Sequence, residues 1–72
     1  MDEPTRMQLH DLAALRRCCD DGVAYLDRLL ASPQTLSTAD LTRLRFHRAR
    51  LEKASVAAGD ITHRIRDDAG GL

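Results

Sequence analysis

Seventy-two residues carry eleven basic and eleven acidic side chains, a formal net charge of zero, and are 43% hydrophobic but only 3% aromatic. That length holds one small domain, and the charge balance argues against a polybasic nucleic-acid arm or an acidic tail. The apolar content is too high for a disordered chain, no apolar run reaches the ~18 residues of a membrane span, and the acidic start is not that of a signal peptide.

The chain opens on Met1-Asp2-Glu3-Pro4 and continues in Leu, Ala and Arg without strand-like alternation. This predicts a helix over residues 4–31, capped by Asp2 or Thr5, with Thr5 and Gln8 spaced as a capping box. Advancing about 100° per residue places Leu9, Leu12, Leu15, Cys19, Val23, Leu26, Leu29 and Leu30 on one stripe. Cys18, Gly22, Tyr25 and Met7 widen one side of it. The apolar arc of roughly 200° exceeds what a single partner helix covers.

Ser32-Pro33-Gln34-Thr35 marks a turn over 32–37. A second helix is expected over 38–67. Ser37 and Asp40 are spaced as a capping box, and Leu36 and Leu41 as a hydrophobic staple. Its main stripe reads Leu44, His47, Leu51, Ala54, Ala58, Ile61 and Ile65, flanked by Leu41. Residues 68–72, ending in Gly-Gly-Leu, are expected to be a frayed tail.

Two long helices with a short connection predict an all-α fold, an antiparallel two-helix hairpin in a single domain over 1–72. A pivot near Gln34 pairs positions whose numbers sum to about 70. Leu26 then meets Leu44, Cys19 meets Leu51, Leu15 meets Ala54 or Ser55, and Leu12 meets Ala58. The same register pairs Asp20 with Arg50 and Asp27 with Arg43.

The hairpin does not use all the apolar surface. Helix two has a second patch of Phe46, Ala49, Val56 and Ala57, broken by Lys53, and helix one leaves Met7, Cys18, Tyr25 and Leu29 partly uncovered. Unused apolar surface points to an interface. A protein interface through Tyr25, Leu29, Phe46, Ala49 and Val56 is therefore expected. Its simplest form is a homodimer closing into a four-helix bundle, with an unidentified protein as a further partner.

Chemistry-bearing residues are sparse. Cys18 and Cys19 point about 100° apart on a helix and lack zinc spacing, so they read as free, apolar fillers suited to a cytoplasmic setting. His47 falls on the core stripe, where a hydrogen bond to Tyr25 would satisfy it; His10 and His63 lie on outer faces, so the three do not converge on a metal. No phosphate loop, nucleophile elbow or paired carboxylates in an apolar pocket occur. The chain is accordingly expected not to be an enzyme and to use no cofactor and no metal.

The alternative reading is nucleic-acid binding. Arg43, Arg45, Arg48 and Arg50 form a basic run, and from Ser37 onward seven basic residues stand against five acidic ones. Candidate nucleic-acid contacts are these four arginines, made continuous in a dimer as in small RNA-binding helical-hairpin dimers. By angle they spread around the helix, which favours pairing with acids and solvation. Met7-Gln8-Leu9-His10-Asp11-Leu12, ahead of a long amphipathic helix and a Pro-containing turn, faintly resembles the dimerisation and phosphoacceptor hairpin of one class of bacterial histidine kinases. The resemblance implies an exposed His10 beside Asp11. It covers those two residues, and the Arg-rich lead-in and the Glu before the histidine are missing. The reading carried forward is a small interaction module: a regulator, adaptor or assembly factor.

Overall fold

The computed structural model describes residues 1–70. Two helices, α1 (Glu3–Ala31) and α2 (Thr38–Gly70), run antiparallel and pack along their length. The described residues contain no strand. The result is a rod of 54 × 15 × 14 Å. Its radius of gyration is 16.3 Å, against about 11 Å for a compact domain of this length, so little of the chain lies far from water.

Local chemistry sets the helix starts. The Asp2 carboxylate accepts from the Thr5 N–H at 2.8 Å, satisfying one of the free donors of the first turn, and Pro4 needs no donor of its own there. Hydrogen bonding from the Thr5 side chain, with that from its N–H, holds the Asp2 carboxyl below its ordinary pKa. At α2 the capping box closes in both directions. The Ser37 hydroxyl takes the Asp40 N–H at 3.0 Å, and the Asp40 carboxylate takes the Ser37 N–H at 3.1 Å. Between them, the Leu36 N–H bonds the Pro33 carbonyl at 3.1 Å in the turn.

Three features of the hairpin differ from the sequence expectation, and they are linked. First, residues facing each other across the seam have numbers summing to about 75, as in Asp20–Ser55, Asp27–Arg48 and Arg16–Gly59. The connection does not fold straight back. It climbs roughly 9 Å, six residues of helical rise, beyond the end of α1 before α2 begins. Leu51 consequently lies over Gly22, where a Cβ would stand 2.9 Å from its Cδ1, rather than over Cys19. The one residue of the α1 seam without a side chain receives a large knob.

Second, α2 continues through Gly70, so residues 68–70 are helical and not frayed; Gly71 and Leu72 lie outside the described residues. The shifted register keeps this last turn level with the start of α1, where Met1, Asp2, Thr5 and Gln8 share a groove with Arg64, Ile65, Asp68 and Ala69.

Third, α2 is rotated. Its more buried positions include Leu41, Leu44, Arg48, Leu51, Ser55, Ala58, Thr62 and Ile65, a 3/4 alternation flanked by the half-buried Ala54 and Gly59 that puts Arg48, Ser55 and Thr62 in the seam. His47 and Ile61 are exposed instead. Both were expected in the seam, while Ala54 stays half-buried beside Ser55; the polar positions are held there because each has a partner. Ser55 donates to Asp20, Arg48 to Asp27, and Thr62 to the Ala58 carbonyl. The core is thin: only Cys19, Ser55 and Ala58 are buried, and no large side chain is fully enclosed among the described residues.

Candidate interaction surface

The seam has two sides of opposite character. On one, polar side chains tie the helices together. The buried Ser55 hydroxyl donates to Asp20 at 2.7 Å. Arg48 forks onto both oxygens of Asp27, its Nη2 at 3.3 Å, and holds Glu52 one turn along its own helix at 3.0 Å. This bidentate bond lowers the Asp27 pKa and raises that of Arg48. Arg16 lies beside Gly59, 3.4 Å from where a Cβ would stand. We call this the closed side.

The opposite, open side has no inter-helix ion pair or side-chain hydrogen bond among the described residues. On α1 it presents Asp11, Leu15, Cys18, Tyr25 and Leu29, a stripe of alternating four- and three-residue spacing that is completed by Gly22, which faces Leu51 in the seam. On α2 it presents Arg43, His47, Arg50, Ala54, Ile61 and Arg64, with the same alternation completed by Ala57 toward the back of α2. Leu15 and Ile61 were expected in the core but are 48% and 40% exposed. Together with Asp11 and Arg64 they line a shallow groove along this side.

The sequence-derived interface residues are all exposed, but they do not form one patch. Tyr25 and Leu29 flank the open side on α1, Tyr25 with the Arg28 guanidinium 4.5 Å from its ring centre. Ala49 and Val56 share the outer back of α2 with Lys53 and Asp60. Phe46 lies between these regions. Arg50 sits 5.6 Å from its ring, and His47 meets it edge-on with centroids 5.6 Å apart. The expected core position of His47 and its bond to Tyr25 are therefore not formed.

The arginines are likewise dispersed. Neither Asp20–Arg50 nor Asp27–Arg43 forms, because the register carries Arg48 to Asp27 and Ser55 to Asp20. Arg48 is engaged with two carboxylates and Arg50 with Phe46, while Arg43 and Arg45 are exposed on opposite flanks of α2. His10 is exposed with its Nδ1 3.5 Å from Asp11. Both cysteines are free thiols, Cys18 exposed and Cys19 buried. No group of three or more metal-ligating side chains converges among the described residues, and no described helix is long and apolar enough to cross a membrane.

Ser55, Asp20 and Arg48 carry the inter-helix polar ties, a role the apolar pattern alone did not assign to this set. A usable signal was present. Positions 48, 55 and 62 continue the 3/4 alternation of Leu41, Leu44, Leu51, Ala58 and Ile65 more regularly than 47, 54 and 61 do. Comparison with family models, curated proteins and solved structures finds no match.

Proposed function

We propose that this chain is a small, non-enzymatic protein–protein interaction module, a regulator, adaptor or assembly factor working through its apolar helix faces. One observation carries the reading. Among the described residues the hairpin buries only Cys19, Ser55 and Ala58, yet leaves Tyr25 63%, Phe46 58% and Val56 63% exposed, with Leu15 and Leu29 about half exposed. Helices this long with so thin a core gain most of their packing from elsewhere, and apolar area on a small rod is what a partner covers. Aromatic anchors beside arginines, as at Tyr25 and Phe46, suit a contact that is both apolar and oriented.

The test is photo-crosslinking in the source cells from side chains introduced at positions 25 and 56, followed by reconstitution of the captured complex from purified components. The expected partner is a protein whose affinity changes little between low and high salt and is lost when Tyr25 and Phe46 are both replaced by Ala. The reading is overturned by a nucleic acid in its place, with log affinity falling steeply against log salt and abolished by Arg43→Glu with Arg45→Glu.

A further inference from the structure

We infer that the open side is a self-association face, where two copies pack about a two-fold axis running along the helices and α1 of each lies on α2 of the other. The inference rests on the proposal that the apolar faces are binding surfaces, and it adds which face is used and by what occupant.

The rotation of α2 is the first argument. The hairpin places Arg48, Ser55 and Thr62 in its own seam and turns Ile61 out to the open side, with Ala57 beyond it toward the back of α2. Those outward residues lie on the same repeat as each other, as do Leu15, Cys18, Gly22, Tyr25 and Leu29 on α1. Each helix thus carries two adjacent 3/4 stripes, one closing the hairpin and one left free. A helix in a four-helix bundle has this arrangement, with one seam for each of two neighbours.

Complementarity identifies the occupant. The α1 half of the chain, before Ser37, has four basic and six acidic residues, and the remainder has seven basic and five acidic. On the open side, the acid of the α1 stripe is Asp11, and the α2 stripe carries Arg43, Arg50 and Arg64. Stacking α1 on α1 would oppose like charges, whereas α1 on α2 opposes unlike ones. An axis along the helices makes every neighbouring pair antiparallel and carries the hairpin's own register, a sum of about 75, across the new interface.

Asp11 then falls level with Arg64 of the second copy, Tyr25 with its Arg50, and Cys18 with its Ala57. The acid meets a guanidinium, the phenol ring meets another, and a small thiol meets a methyl group. The large Leu15 comes level with Ile61 of the second copy, while Gly22 stays covered by Leu51 of its own hairpin.

The experiment is sedimentation equilibrium across the micromolar range on the full chain, with circular dichroism for helix content. The proposal expects a wild-type dimer that Leu15→Glu or Cys18→Glu weakens at least about tenfold while both remain helical. Val56→Glu, on the back of α2, should leave the dimer intact. Both Leu15 and Cys18 are exposed, so either variant serves if the other fails to fold. Mixing Asp11→Arg with Arg64→Asp should give more heterodimer than either homodimer, because only the mixed pair opposes unlike charges at both sites.

A wild type monomeric throughout overturns self-association and leaves the interaction module standing, with a partner of different sequence. Dissociation by Val56→Glu but not by Leu15→Glu or Cys18→Glu overturns the choice of face. Failure of the charge-swapped variants to prefer each other, or a Cys18–Cys18 disulfide between copies on mild oxidation, overturns the α1-on-α2 arrangement. Under the proposed axis the two Cys18 residues sit on diagonal helices, out of disulfide reach.

Discussion

The two sides of the seam are built from the same pair of helices at the same distance, yet one is closed by directional bonds and the other is not. On the closed side, Asp20–Ser55 and Asp27–Arg48–Glu52 fix both the axial offset and the rotation. On the open side, Leu15 and Ile61 remain two-fifths exposed or more, with no side-chain hydrogen bond or ion pair joining the helices among the described residues. The difference shows which forces set the geometry of a thin hairpin. Apolar attraction is non-directional and tolerates several registers, so the few hydrogen bonds with strict geometry select one.

The comparison can be broken most severely where both sides meet. Ala58 is 2% exposed, in the seam between the helices. Ala58→Leu is expected to destabilise by about 1–3 kcal/mol through overpacking, read as a lowered thermal midpoint by circular dichroism. Ala49→Leu, on the outer back of α2, should stay within about 0.5 kcal/mol of wild type. Equal effects would remove the distinction between seam and surface.

Adjacent residues sharpen it further. Ser55→Ala removes the buried donor to Asp20 and should cost about 0.5–1.5 kcal/mol. Ala54→Ser, one position toward the open side, adds a hydroxyl that reaches water and should cost less than about 0.5 kcal/mol. Chemical denaturation of the two variants side by side checks the order.

The two glycines inside the helices make a similar pair. Gly59→Ala on the closed side meets only the Arg16 guanidinium at 3.4 Å, a flexible side-chain end. It should stabilise by up to about 1 kcal/mol through helix propensity. Gly22→Ala brings a Cβ to 2.9 Å from Leu51 Cδ1, so Leu51 must move and the gain should be smaller. A larger gain at Gly22 than at Gly59 would contradict the packing of Leu51 against it.

The smallest expected effect is on acid stability. Arg48 lowers the Asp27 pKa in the folded chain, so this contribution is full above the ordinary aspartate value of about 3.9 and is lost as pH falls through the lowered one. Thermal midpoints measured from neutral pH into this acid range should therefore drop more for wild type than for Asp27→Asn. A parallel drop in both would show that the Arg48 fork contributes nothing to the pH dependence.

Much of the fold was legible from local patterns. The turn around Pro33 and the reciprocal Ser37–Asp40 cap depend on residues three or four apart, and they place the helix starts. The exposed set was legible too, since Tyr25, Phe46 and Val56 stand off the main stripes. Their grouping was not. Whether Phe46 faces toward Tyr25 or away from it depends on which way α2 is turned, and a wheel drawn for each helix separately leaves that angle free. His47 illustrates the consequence. It lies within about 50° of the seam on the wheel, and a modest rotation carried it from the expected core onto the surface beside Phe46.

The amino-acid order by itself determined two capped helices, their antiparallel connection and an apolar surplus, because propensity, capping and turn chemistry act over a few residues. Only the packed hairpin decided the axial offset, the rotation of α2 and therefore the existence of an open and a closed side. Two neighbouring stripes on α2 competed for the seam, and the less hydrophobic one, with Arg48, Ser55 and Thr62, took it. Asp20 and Asp27, distant in sequence, settled the matter by offering partners to Ser55 and Arg48.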